Sequence, residues 1–368
     1  MNTLIPLEYY SGFYYNFLFV VVLFVFLKSN SVELFDKNNL SSKSSLGNFF
    51  LWFVILYMGT RPISFVFADM AVYALEFKEY ANGAPINADK EVVFGLFMKF
   101  CSTIMTAEIF FLVCAFLYVI PLYLASKKLF KDYWFYAFFI LVISFSFWAY
   151  GTNGIRNGLA ASIFVYAVSR DKKGLTIAFI VLSILIHTSL IVPAVAYSIS
   201  LFYKNIKVYL LAWFVAIPLS LALGSFWEDF FLNLGFIEQE RVIGYFSDDQ
   251  AYSDKIVELK VGFRWDFLLY SAIGVFAGYY YIFKKKYNDA IYNRLFAIYL
   301  MCNALWILVI RANFSNRFAY LSWFLIGLII IYPLLKVSIF NKQHLVIGRI
   351  LFLYFLFTYA LNFVLAIK

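Results

Sequence analysis

The feature that most constrains this chain is a series of long apolar runs that hold scarcely a charge. A helix needs about 20 apolar residues to cross a bilayer, so the runs indicate an all-α, polytopic integral membrane protein. Its 64% hydrophobic and 14% charged residues fit this class, and the runs do not alternate polar with apolar residues, which argues against a β-barrel. We predict one transmembrane domain, 1–368, with twelve spans at about 9–27, 47–60, 104–125, 133–150, 154–169, 174–187, 189–203, 207–226, 265–283, 292–310, 317–335 and 346–366.

Three of these spans, 47–60, 154–169 and 174–187, are short for a bilayer. A short span indicates a distorted helix or a helix whose end lies in a water-filled cavity. The last two flank or follow the segment YGTNGIRNGLA, in which Arg156 stands between two apolar runs. This segment is therefore the first place to look for function.

The distribution of basic residues predicts the orientation of the spans. One set of loops carries 18 of the 30 Lys and Arg residues but only five of the 21 acids, and the positive-inside rule makes that side cytoplasmic. The net charge of +9 is explained by these loops, so no nucleic-acid partner is expected. Both termini and the two longest connections, 61–103 and 227–264, then lie outside, and function is expected at the outer face.

Arg156 is predicted to lie in the first turn of the fifth span. A cation there is at the unfavourable end of the helix dipole, so helix stability does not explain its presence. Gly151, Gly154 and Gly158 allow close backbone approach, and Asn153 is a candidate cap. A guanidinium beside free helix amides suits a phosphate; the alternative is an arginine that snorkels to lipid headgroups.

His187 ends the sixth span in the segment ILIHTSLIVP. A lone histidine in such a place is ordinarily a core residue whose hydrogen bonds are satisfied. Here it lies at the outer end of a span, on the side where Arg156 also emerges. Because consecutive spans are antiparallel, the two residues can be neighbours.

The connection 61–103 holds further candidates. Asp69 and Tyr73 are four residues apart and share a helix face, either as an interfacial amphipathic helix or as a carboxylate and a phenol that line a sugar site. Glu91 opens an apolar segment, 91–100, with helical period, which is typical of a helix that lies in or re-enters the outer leaflet. Glu108, just inside the third span, is either a structurally paired carboxylate or part of a site.

The outer side also carries arginines, which hold phosphates in a bidentate manner better than lysines do. We group Arg61, Arg156, Arg241, Arg311 and Arg317, with Tyr245 beside the third of them, as a candidate site for pyrophosphate or sugar. A lipid-linked pyrophosphate is the natural ligand at this depth. With two histidines in the chain, a His-rich metal site is not expected.

Several motifs together resemble the EpsG family of membrane polysaccharide polymerases, which are akin to Wzy O-antigen polymerases. The strongest part is NGIRNGLA at 153–160, followed by the basic turn RDKKG and by LIHTSLIVP. The D-x-x-x-Y pattern at 69–73, Glu91 with Phe94, and Asn316–Arg317–Phe318 are similar in the same order. The chain departs from the family pattern at Asn157, where a glutamine is usual, and lacks the proline after Glu91.

The resemblance implies a glycosyltransferase of GT-C-like architecture. Such enzymes join oligosaccharide repeat units carried on undecaprenyl pyrophosphate, at the periplasmic face of the bacterial inner membrane, into O-antigen or exopolysaccharide. It implies that the arginines stabilise the pyrophosphate leaving group, that His187, Asp69, Glu91 or Glu108 acts on the acceptor hydroxyl, and that no metal or cofactor is needed. Besides the glycan substrate and the lipid bilayer, the implied partners are a flippase and a Wzz-like chain-length regulator.

Two alternatives stay open at this point. A ligase-like transferase that moves glycan to a lipid A core would use the same chemistry. A flippase or exporter of lipid-linked oligosaccharide would instead require charges in the middle of its spans, along a path through the membrane. Nearly all charges of this chain lie at span ends.

Overall fold

The computed structural model describes residues 5–31, 37–86, 91–233, 262–312 and 315–364, and these form helices with no strand among them. The helices are α1 Leu7–Ser29, α2 Lys37–Gly59, α3 Asp69–Ala81, α4 Val92–Ser102, α5 Ala107–Phe130, α6 Trp134–Val142, α7 Phe145–Thr152, α8 Ile155–Val168, α9 Lys173–Ile186, α10 Ile191–Phe202, α11 Ile206–Asn233, α12 Trp265–Tyr279, α13 Ala290–Leu308, α14 Asn316–Trp323, α15 Ile326–Lys336 and α16 Gln343–Val364.

The protein is a polytopic helical membrane protein. Among the described residues, seven helical stretches are long and apolar enough to cross a membrane: 7–29, 107–142, 206–227, 265–284, 290–308, 316–336 and 343–363. Four further apolar helices are shorter, and each of the twelve predicted spans overlaps a helix. The span 47–60 was predicted as a short helix, but α2 begins ten residues earlier, at Lys37. The helices α8 and α9 are short, at 14 residues each, or about 21 Å.

Two predicted spans are interrupted where a serine hydroxyl bonds the backbone of its own turn. In the fourth, α6 ends at Val142 and Ser144 Oγ donates to the Leu141 carbonyl at 2.7 Å. In the eleventh, α14 ends at Trp323 and Ser322 Oγ donates to the Ala319 carbonyl at 2.8 Å. Such bonds compete with the helical pattern and favour a bend.

The chain divides into two compact units, of which the first comprises Met1–Leu190 and Ile330–Lys368. Within it α1 packs on α16, α2 on α5, and α8 on both α5 and α9. Many of the aromatic residues pack against one another here. Tyr10 and Tyr57 stack at 4.5 Å and each donates its hydroxyl to the other's carbonyl at 2.8 Å, while Tyr14 stacks on Trp148 at 4.2 Å. These rings serve packing and are enclosed, which leaves them unsuited to stacking on a sugar.

The second unit, Ile191–Ile329, is held together by a buried polar network. Asn303 accepts a hydrogen bond from Trp213 Nε1 at 2.7 Å and donates to the hydroxyls of Ser271 and Ser322 at 3.0 and 2.9 Å. Trp323 Nε1 donates to the same Ser271 hydroxyl at 2.7 Å. The network joins α11, α12, α13 and α14, as polar side chains do between helices in lipid.

The predicted outer connection 61–103 contains two helices, α3 and α4. Helix α4 is apolar on two faces: Phe94 and Met98 are buried, while Leu96 and Phe100 on the opposite face are exposed. This is the pattern expected of a helix that lies in one leaflet of a membrane, and at 11 residues it is too short to span. Most of the other long connection, 227–264, lies outside the described residues.

Candidate active site

Arg156 is the second residue of α8 and directly follows the tight turn that joins α7 to α8. The turn depends on glycine at two places. A Cβ on Gly158 would lie 2.6 Å from the Tyr150 carbonyl oxygen, and one on Gly151 would lie 2.1 Å from Met58 Sδ. Gly154 meets nothing closer than 3.5 Å, so packing does not require it. The glycines that were predicted to allow close approach therefore do so at 151 and 158.

The guanidinium of Arg156 is enclosed by groups from the connection 61–103. Its Nη1 donates to Glu91 Oε2 at 2.6 Å, and its Nε donates to the Tyr73 hydroxyl at 2.9 Å. The rings of Tyr73 and Phe94 lie 5.3 and 6.0 Å from its central carbon. The side chains of Arg156 and Glu91 are 10% and 8% exposed. A charge-assisted pair in so dry a place holds both groups in one orientation.

His187 meets the same carboxylate from the other side. It follows the last residue of α9, and its Nδ1 lies 3.8 Å from Glu91 Oε1. The same nitrogen accepts the backbone N–H of Ser189 at 3.2 Å and lies 2.9 Å from the Ser189 hydroxyl. Glu91 thus lies between Arg156 and His187, and its two oxygens face one residue each.

Asn153 has a different role from the predicted one. The residue before α8 is Gly154, and no side chain caps this helix. Instead, Asn153 Oδ1 accepts the backbone N–H of Asp69 at 3.1 Å. Asn153 therefore caps α3, whose own N-cap residue is Ala68 and has no side-chain acceptor to offer. Asp69 lies half-buried in the first turn of α3, one turn before Tyr73.

Arg61 was predicted as a ligand-binding residue, but it lies in the protein interior, only 3% exposed. Its two terminal nitrogens donate to the carbonyls of Met58 and Thr152, near the ends of α2 and α7, and the rings of Phe67 and Phe111 each lie 5.7 Å away. Burial lowers the pKa of Arg61 to about 10, so it is charged near neutral pH. A cation at helix C-termini is favourable, and the geometry makes Arg61 a support for the turn that carries Arg156.

Arg156, Tyr73, Glu91 and His187 form one cluster of contacts. Arg156 and His187 lie in the segments in which the family resemblance is strongest. The sequence profile of the EpsG family matches residues 48–368. The chain belongs to the EpsG family. Membership indicates a membrane protein of the polysaccharide-polymerase type. Comparisons with curated proteins and with solved structures gave no significant match.

The remaining candidates of this EpsG protein belong to the second unit, to the first turn of α5, or to the part of the chain outside the described residues. Arg311 lies in the second unit, where its Nη2 donates to the Leu221 carbonyl at 3.4 Å and its side chain packs on Gly224. Arg317 is the second residue of α14 in the same unit and is exposed. Arg241 and Tyr245 lie outside the described residues. Glu108, expected to be a buried carboxylate, is exposed in the first turn of α5, where the open helix end leaves it in contact with solvent.

Two residues that hold side chains of this region in place were not predicted from the sequence. Ser189 bonds the ring of His187, and the Thr152 carbonyl holds Arg61. Ser189 could have been recognised, because a serine two residues after a histidine at a helix end can bond the histidine ring. Thr152 could not have been recognised, since it contributes only its backbone carbonyl, which any residue supplies.

Proposed function

We propose that this EpsG protein polymerises oligosaccharide repeat units carried on undecaprenyl pyrophosphate, in the manner of Wzy-type polymerases. The site faces the periplasm at the inner membrane of a bacterium and makes O-antigen or exopolysaccharide. In each step the bond between the anomeric carbon and the pyrophosphate oxygen breaks, and a bond to an acceptor hydroxyl forms. The hydroxyl proton passes to a base, and the lipid pyrophosphate leaves.

The observation that carries the proposal is the contact of Arg156 and His187 with one carboxylate, Glu91. A guanidinium at the first turn of α8 can stabilise the charge that develops on the leaving pyrophosphate. A carboxylate beside it can act on the acceptor hydroxyl, and low exposure strengthens both effects. Because Glu91 occupies Nη1 of Arg156, a phosphate shares or displaces this contact when it binds.

The position of the charges supports the polymerase over an exporter. In the described part of the chain, the buried charged residues are Lys43, Arg61 and Arg156, together with the side chain of Glu91, which bonds Arg156. Arg156 is in the first turn of its helix, Arg61 follows the end of α2, and Lys43 lies within two turns of the start of α2. A path for charged sugars through the membrane would need such groups at mid-span.

The test is an assay of purified protein with undecaprenyl-pyrophosphate-linked repeat units. Arg156→Ala is expected to lower the rate at least about 100-fold, the scale of losing one stabilising group from a transition state, and His187→Ala is expected to shorten or abolish the ladder of products. Arg170→Ala and His344→Ala are matched controls, since Arg170 follows the opposite end of α8 and His344 opens α16. A full ladder from both folded site variants would contradict the proposal, and a single transferred unit would point to a ligase.

A further inference from the structure

The hydrogen bonds of the His187 ring indicate which of its two nitrogens carries the proton. Nδ1 accepts the backbone N–H of Ser189 at 3.2 Å. An amide N–H can only donate, so Nδ1 must present its lone pair, and the proton of the neutral ring is on Nε2. The Ser189 hydroxyl at 2.9 Å can add a second donor to the same lone pair.

The local backbone explains why this bond forms. Helix α9 ends at Ile186, and His187 is extended, with φ −149° and ψ 116°. The turn Thr188–Leu190 starts directly after it. The first amides of such a turn lack carbonyl partners, and a side-chain acceptor on the residue before the turn bonds the second or third amide. His187 fills this capping position with a ring nitrogen, and Ser189 supplies the amide.

We propose that the Ser189 amide fixes His187 as the Nε2–H tautomer, so that His187 acts in the site as a hydrogen-bond donor and not as the general base. The donor role rests on the proposed function, in which the acceptor is a phosphate oxygen of the lipid-linked substrate. The tautomer itself does not depend on that function.

The geometry disfavours histidine as the base at either nitrogen. A proton taken up at Nδ1 would break the bond to Ser189 and leave that amide without its acceptor. Proton uptake at Nε2 would require Nδ1 to carry the ring proton beforehand, against the same amide. Glu91 Oε1 lies 3.8 Å from Nδ1, beyond hydrogen-bond distance. The base role then passes to a carboxylate, Glu91 or Asp69.

The first test reads the tautomer directly. The chain has two histidines, so a His344→Gln variant labelled with ¹⁵N-histidine reports His187 alone. Glu91 Oε1 lies 3.8 Å from the ring, and Arg156 bonds the other oxygen of that carboxylate. Spectra are recorded well above the usual titration range of imidazole, about pH 6.5. We expect an unprotonated Nδ1 and a protonated Nε2. A protonated Nδ1 overturns the proposal, and this readout needs no substrate.

The second test separates a donor from a base by substitution. The glutamine amide places an N–H near the position of Nε2 but takes up no proton, whereas asparagine reaches only as far as Nδ1. We expect His187→Gln to retain at least tenfold more polymerase activity than His187→Ala, and His187→Asn to resemble alanine. Equal inactivity of folded glutamine and alanine variants overturns the donor role. If the wild type makes no polymer, the proposed function fails, while the NMR result still decides the tautomer.

Discussion

Glu91 is the residue on which the site depends, because it meets partners from two distant parts of the chain. Arg156 lies 65 residues further along the sequence, and His187 lies beyond one further helix, α9. The connection 61–103 thus returns to the N-terminal end of α8 and the C-terminal end of α9, where Glu91 faces Arg156 and His187. This pairing gives the arginine a fixed place before any substrate arrives.

A double-mutant cycle can measure the pair. Removing one partner of a buried ion pair costs about 3–5 kcal/mol, because the other charge stays buried. We expect Glu91→Gln and Arg156→Met each to lower thermal stability in detergent clearly. The double variant should lose less than the sum of the two, with a coupling of about 1–3 kcal/mol.

Lys128 and Asp171 provide the matched control cycle. They form an ion pair, but their side chains are 41% and 71% exposed, and exposed pairs contribute little. Their cycle should give a coupling near zero. Additive losses for Glu91 and Arg156 would show that the two side chains do not stabilise each other.

For single residues, the sequence predicts where a side chain lies along its helix better than which side chains it contacts. Arg156 and His187 were placed at the outer ends of their spans because apolar run length locates span ends. Glu91 was a candidate because, with Phe94, it resembles a segment of the EpsG family pattern. Nothing in the spacing of the sequence indicates that Glu91 pairs with Arg156. Arg61 was predicted as a ligand-binding residue because its burial by α2, α5 and α7 depends on how these helices pack, which the sequence does not show.

Among the elements, the turn between α7 and α8 is the one that glycine makes possible. We expect Gly158→Ala to cost about 1–3 kcal/mol through overpacking, because the added Cβ meets backbone, the Tyr150 carbonyl, which cannot rotate away. The loss should appear as a lower melting temperature and a lower yield of folded protein.

Gly174→Ala is the control for this change, since a Cβ there meets nothing within 4 Å and the residue lies in the first turn of α9. It should be neutral or gain about 0.5–1 kcal/mol from helix propensity. Equal stability of the two variants would mean that the turn tolerates a side chain at 158.

The elements themselves follow closely from hydrophobic run length, and α3 and α4 follow from the spacing of Tyr73 behind Asp69 and of the apolar residues after Glu91. The breaks inside the fourth and eleventh spans do not. They arise where Ser144 and Ser322 bond carbonyls of their own turn, and a serine within an apolar run gives no sign of whether its hydroxyl will do so. The early start of α2 was missed because its first turns are polar.

For the whole molecule, the proposed orientation can be tested with accessible cysteines. The native Cys101, Cys114 and Cys302 are buried, so a new exposed cysteine is the main target of an impermeant thiol reagent. Asn82→Cys, after α3, is expected to react in intact spheroplasts. Lys285→Cys, in the basic loop after α12, should react only once the membrane is opened. The reverse pattern would place the site in the cytoplasm.

The bond between Asn153 and the start of α3 sets a limit on how this chain can change in length. The backbone N–H of Asp69 donates to Asn153, and the hydroxyl of Tyr73 accepts from Arg156. Asp69 and Tyr73 are four residues apart on α3, about one helical turn, and this spacing lets both bonds form together. Deleting a single residue between them would turn Tyr73 by about 100° away from Arg156. Insertions and deletions in working variants should therefore avoid 69–73.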